Sequence, residues 1–254
     1  MHALTQEVHP LKSQRSTMSR SLIPELHPDF AYKAYYVGRD KTPLLVIDNF
    51  VKDAEGLVSY CAGLRDFNSV DTYYPGIRML APELYMHAVH HHLAKFFFTI
   101  FSLRPDQIAG GKAYYSMVVT PPEKLEPKQC VPHIDSFTSG NLACVHYLCD
   151  KSKGGTSLYR HKKTGFEVVT KDTIEFYNQA VIDEGILQGE KKSYMNGSND
   201  YFERIAKIDA QFNRVVIYPG NILHSGDISP DFDFDPDPTR GRLTLNSFIY
   251  KKPE

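Results

Sequence analysis

The pattern of hydrophobic and polar positions changes texture along the chain. Residues 1–40 scatter their apolar side chains among His, Lys, Arg and Ser, and Pro24 and Pro28 interrupt any helical run, so this stretch is expected to be an arm. Pro43-Leu-Leu-Val-Ile-Asp48 is a short apolar run suited to a buried strand, and Asp53 opens a segment with Leu57, Cys61 and Leu64 at helical spacing. Tyr74-Pro-Gly-Ile-Arg78 carries turn chemistry. Pro82 then stands at the start of a long helix reaching about Phe101, whose stripe of Tyr85, Phe96, Phe97 and Ile100 is a face for covering a sheet.

From Gly110 onward the pattern becomes short β-rich runs: Ala113 to Val119, Leu142 to Leu148, Thr156 to Tyr159, Arg214 to Tyr218 and Arg242 to Tyr250. One helical excursion is expected between about Asp200 and Ile208, with Asp200 and Glu203 as a capping-box pair. No repeat of solenoid length occurs. The fold class that follows is mainly β with flanking helices (α+β): a cupin-like jelly roll, or double-stranded β-helix. Residues 41–254 form its single domain, divided into a supporting strand and helices (41–108) and the β-helix core (109–254).

Composition narrows the partners. Hydrophobic residues make up 42% and charged residues 23%, ordinary globular usage, so a sizeable core can be buried. A net charge of -1 gives no long-range pull toward phosphate backbones or anionic lipid, and neither nucleic acid nor membrane is expected as a partner. No run resembles a signal-peptide core or reaches the ~20 apolar residues that span a bilayer. Cys61, Cys130, Cys144 and Cys149 show no CxxC spacing, and the odd separation of Cys144 and Cys149 points them to opposite faces of a strand. Reduced thiols and the lack of an export signal fit a cytoplasmic address.

The chemistry centres on Cys130-Val-Pro-His-Ile-Asp135. Pro132 pushes its neighbours toward extended backbone, and alternation then sends His133 and Asp135 the same way. Two imidazoles and one carboxylate on one face of a divalent iron leave the opposite positions for substrate and O2. His224 supplies the second imidazole, at the end of an apolar strand and a Pro-Gly turn. On the last apolar run Arg242, Thr244 and Asn246 share one face and Leu243, Leu245 and Ile249 the other, so a guanidinium with a hydroxyl two residues on can clamp one end of a dicarboxylate.

His-x-Asp, a distant His after a Pro-Gly turn and Arg-x-Thr on the last strand resemble the iron(II)/2-oxoglutarate-dependent dioxygenase superfamily, over about Gly110 to Tyr250. The wording Pro132-His-Ile-Asp-Ser, His146-Tyr-Leu-Cys, Gly154-Gly-Thr-Ser, Thr164-Gly-Phe-Glu167 and Leu223-His-Ser-Gly226 resembles a bacterial family within it. The resemblance implies Fe(II) held by His133, Asp135 and His224, 2-oxoglutarate bound by Arg242 and Thr244 with Tyr115 assisting, and O2 as oxidant. It implies hydroxylation or a related oxidation of a small-molecule or peptide substrate, releasing succinate and CO2. The retained carboxylate Asp135 argues against a halogenase.

The Asp-rich insertion before Arg242 leaves Arg240 as a rival anchor and offers a loop that could serve as a lid. That insertion, Asp231 to Pro238, lacks the Gly and distal Glu of a calcium loop and reads as a Pro-stiffened acidic loop. His87 and His91 stand four apart but without an HExxH pattern, and read as a solvated helix face. His146 reads as a hydrogen-bonded barrel residue and His161 as facing solvent. Two alternatives remain open: a cupin-like metal enzyme that does not use 2-oxoglutarate, and a jelly-roll binding protein without activity.

Overall fold

Antiparallel pairing of ten strands organises the protein, seen here in a computed structural model that describes residues 24–64, 66–68, 74–189 and 192–253. The elements in chain order are β1 (Ala31–Val37), β2 (Thr42–Asp48), α1 (Ala54–Leu64), β3 (Gly76–Leu80), α2 (Glu83–Phe101), β4 (Ile108–Val118), β5 (Leu142–Tyr147), β6 (Gly155–His161), α3 (Ile174–Asp183), β7 (Phe202–Asp209), β8 (Arg214–Pro219), β9 (His224–Asp227) and β10 (Leu243–Lys251). A seven-stranded sheet runs β1-β2-β8-β5-β10-β4-β3, and a three-stranded sheet runs β7-β6-β9. From β4 onward the chain passes repeatedly between the two: β5, β8 and β10 return to the large sheet, whereas β6, β7, β9 and a bridge at His133 belong to the small one. That alternation is a double-stranded β-helix.

Strand alternation gives the large sheet two different faces. Tyr115, Met117, Leu243, Leu245 and Ile249 point to one side, where they are buried with Leu93 and Phe97 of α2 and Cys61 of α1. Each such side chain contributes roughly 2 kcal/mol on leaving water, so this layer is a rigid backing. Arg242, Asn246, Phe248, Tyr114 and Tyr218 point the other way, into a cavity facing the small sheet. Cys144 and Cys149 lie in separate apolar clusters, Cys149 in the bend beyond β5 rather than in the strand, and all four cysteines are free.

Several expectations are corrected. Residues 1–23 of the expected arm lie outside the described residues, but Ala31–Val37 is a strand paired along its length with β2. The Tyr74–Arg78 turn is confined to its start, since Gly76–Leu80 pairs with β4. Gly76 is required there, because a Cβ would overlap the Met117 carbonyl oxygen. The expected helix at Asp200–Ile208 is instead β7. Phe202, Ile205 and Ile208 recur every three residues, but the register shifts between Leu158/Tyr159 and their partners Ala206/Arg204, so Ile205 is the extra residue of a bulge and the helical period is accidental. His87 and His91 are exposed on α2, and among the described residues no helix is long and apolar enough to cross a membrane.

Candidate metal centre

Backbone pairing places the two imidazoles side by side. His133 and His224 exchange both N–H to carbonyl hydrogen bonds at 2.9 Å, which puts their side chains on one face with ring centroids 4.4 Å apart. The Pro219-Gly220 turn then holds the third residue, because the Gly220 carbonyl accepts from Asp135 N at 2.7 Å and from Ser136 N at 3.1 Å. Ligand atoms of His133, Asp135 and His224 all lie within 4.8 Å of one another, a spacing at which one ion can be held.

Hydrogen bonding fixes how these groups face each other. His224 Nδ1 lies 2.9 Å from the Ile222 carbonyl, which can only accept, so Nδ1 carries the proton and Nε2 presents its lone pair. That Nε2 is 3.4 Å from Asp135 Oδ2, while His133 Nε2 is 3.9 Å from Asp135 Oδ1. Acceptors converging in this way need a shared cation, either a proton or a metal ion. Burial lowers the His224 pKa, but the Asp135 charge and hydrogen bond outweigh it and hold the group above its ordinary value. Loss of solvent on the cavity side, reinforced by the neighbouring His224, holds the half-exposed His133 below its ordinary value, which favours the neutral imidazole that can ligate. Burial works against the Asp135 carboxylate, yet His224, His133 and Arg78 keep it below the ordinary range. An imidazole, an imidazole and a carboxylate suit a borderline divalent ion such as Fe(II).

The triad opens on a cavity of about 700 Å3. Arg242 is 4% exposed in its wall, with Nη2 donating to the Gly155 carbonyl at 2.8 Å and Nε buried without a partner among the described residues. Thr244, expected beside Arg242 as a cosubstrate contact, is fully buried behind the cavity lining, its hydroxyl 3.4 Å from the Ser116 carbonyl. Asn246 also lines the cavity, its Oδ1 buried without a partner among the described residues. A buried guanidinium with an unused N–H fits an incoming carboxylate.

Other expected residues lie elsewhere. Tyr115 occupies the helix-facing layer, where its hydroxyl donates to the Leu57 carbonyl at 3.2 Å, and its neighbour Tyr114 lines the cavity instead. Arg240 is exposed and paired with Asp235 and Asp237 inside the acidic loop, whose Phe232 and Phe234 pack against the cavity-lining Ile228 and Tyr194. His146 is the hydrogen-bonded barrel residue expected, set between Tyr85 Oη and Asn213 Oδ1 at 3.0 and 3.1 Å. His161 does not face solvent: it is 0% exposed, edge-on to Tyr177 and tilted against Phe202, with Nε2 2.9 Å from Glu184. Sequence reasoning missed Arg78 on β3 and the whole of α3, whose Ile174, Tyr177 and Val181 line the cavity at i, i+3, i+7 spacing.

Comparison with solved structures returns several similar chains. A prolyl-4-hydroxylase of Pseudomonas putida aligns at 10% identity with a TM-score of 0.41, covering 88% of this chain and 92% of its own. HygX of Streptomyces hygroscopicus, in a structure with nickel, 2-oxoglutarate and hygromycin B bound, aligns at 14% identity with a TM-score of 0.45, covering 84% of each chain. SnoK, a non-haem alpha-ketoglutarate-dependent carbocyclase from nogalamycin biosynthesis, aligns at 10% identity with a TM-score of 0.45 over 84% of this chain and 81% of its own. No curated protein matches the sequence at a significant level. The family model described as "Family of unknown function (DUF6445)" matches residues 28–249, and the chain belongs to that family.

Proposed function

We propose that the protein is a non-haem Fe(II)/2-oxoglutarate-dependent oxygenase that hydroxylates a small substrate. One observation carries this reading: a His133, Asp135 and His224 triad with ligand atoms within 4.8 Å shares a cavity with the buried Arg242. Bound Fe(II) with 2-oxoglutarate and O2 supplies an oxidation in which one oxygen atom enters a substrate C–H bond and the other enters succinate, with CO2 released.

The chain's own residues bind and orient. His224 is held by the Ile222 carbonyl, so its lone pair is aimed before any ion arrives. Arg242 would receive the far carboxylate of 2-oxoglutarate, with Tyr147 beneath its guanidinium at 5.7 Å and Thr244 next on the same side of the strand that follows. Burial of this arginine makes the pair of charge-assisted hydrogen bonds stronger than at a surface.

The test is calorimetric titration of 2-oxoglutarate into Fe(II)-loaded protein under argon, followed by succinate and CO2 measurement in air. Arg242→Ala is expected to weaken 2-oxoglutarate binding about 100-fold, the loss of one buried bidentate contact, and to abolish Fe(II)-dependent succinate release. Turnover indifferent to 2-oxoglutarate and to Arg242→Ala would identify a metal enzyme of another class. Metal binding with no oxygen consumption would identify a binding protein.

A further inference from the structure

The cavity wall carries a second guanidinium that the proposed cosubstrate does not use. Arg78 sits on β3 opposite Ser116, which is itself opposite Thr244, so it faces the same side of the large sheet as the Arg242 row. Its Cζ lies 4.2 Å over the Tyr74 ring, 5.8 Å from Tyr114 and 5.9 Å from Phe248. Three aromatic rings thus surround the cation, whose side chain lines the cavity. Arg78 Nε is buried without a partner among the described residues. Burial holds its pKa below the ordinary arginine value, and its side chain lines the same cavity as His133 and Asp135.

Charge balance gives this residue a consequence. Fe(II), Asp135, 2-oxoglutarate and Arg242 together are neutral and Lys128 on the same wall is exposed to screening solvent, so among the described residues Arg78 remains as the cation without a counter-charge in a desolvated wall. Such a cation is costly unless an anion joins it. Resting on the oxygenase reading above, we propose that the primary substrate is a small carboxylic acid whose carboxylate is received by Arg78 against the Tyr74, Tyr114 and Phe248 rings. A single monoanion completes neutrality. A phosphate monoester, at roughly -1.5 to -2, would leave the cavity negative, and one planar guanidinium matches the two oxygens of a carboxylate.

The experiment uses the full chain loaded with Fe(II) and 2-oxoglutarate under argon. Ligands are the common protein amino acids and the straight-chain acids from propionate to octanoate, each compared with its own carboxamide by calorimetry. At least one acid is expected to bind about tenfold or more tighter than its amide, the value of one charge-assisted contact. Arg78→Gln should bring that ratio close to one and Arg78→Lys should keep part of it, with Fe(II) and 2-oxoglutarate affinities within about threefold of wild type. The proposal is wrong if no acid is preferred to its amide in the wild type, or if Arg78→Gln keeps the preference. It is also wrong if Arg78→Gln weakens Fe(II) and 2-oxoglutarate as much as the acid, since Arg78 would then be a positioning residue for the metal centre. Should 2-oxoglutarate itself fail to bind, the oxygenase reading fails separately, and the same acid and amide comparison on the Fe(II)-loaded protein still decides the role of Arg78.

Discussion

His224 and His146 are both buried imidazoles, and their partners divide their roles. His224 spends one nitrogen on the Ile222 carbonyl and turns the other toward Asp135. His146 spends both: Tyr85 Oη donates to Nδ1, and Nε2 donates to Asn213 Oδ1, which also accepts from Val51 N. Burial pulls the His146 pKa down to about 4, against the Asn213 hydrogen bond, from roughly 6.5 in an unfolded chain. Between those values the unfolded state binds more protons, so stability falls as pH drops from about 6.5 toward 4, by on the order of 3 kcal/mol. His146→Gln should flatten that slope relative to wild type, and should cost about 2 kcal/mol at pH 7 by leaving buried partners poorly paired. Urea unfolding across pH checks both, and an unchanged acid slope would show that His146 does not carry it. At this scale the convergence of His133, Asp135 and His224 was legible, because alternation fixes the direction of the first two side chains and the Pro-Gly turn brings the third to them. Tyr115 was misplaced for a complementary reason, since a one-residue error along a strand moves a side chain from cavity to core.

Among the elements, the short ones position the site. The single bridge between His133 and β9 does the work of a full strand pair, because its two hydrogen bonds set both imidazoles in register. Edge strand β3 carries Arg78, and its approach to β4 depends on Gly76 having no side chain. Gly76→Ala should therefore cost about 2 kcal/mol or more, because the obstacle is backbone rather than a movable side chain. Hydrogen exchange should show faster exchange of β3 amides with β5 and β10 unaffected, whereas unaltered protection of β3 would mean that the clash is absorbed without displacing Arg78. Long periodic elements such as α2, β5 and β10 were readable from the sequence, since their apolar faces are determined locally. β3 was hidden behind Pro75-Gly76, and β7 was disguised by a bulge that gives a strand a three-residue period. α3 went unread although its spacing was present.

At the scale of the molecule, the two faces of one sheet separate stability from chemistry. The helix-facing side is filled with Leu, Ile, Phe and Tyr side chains, and the other side carries Arg242, Asn246 and Tyr114 around the cavity. This division explains why the fold class could be anticipated and why the substrate could not: alternation encodes the layers, while the cavity's contents depend on side chains brought together from β3, α3 and β10. The account stands on one metal ion held by His133, Asp135 and His224, with a dicarboxylate between it and Arg242. The most direct test is an anomalous diffraction map from crystals grown with Mn(II) and 2-oxoglutarate under argon. The account predicts one strong peak within ligand distance of both imidazoles and the Asp135 carboxylate, with density for 2-oxoglutarate running from that ion to the Arg242 guanidinium. A peak bound elsewhere, or 2-oxoglutarate density that leaves Arg242 untouched, would contradict it.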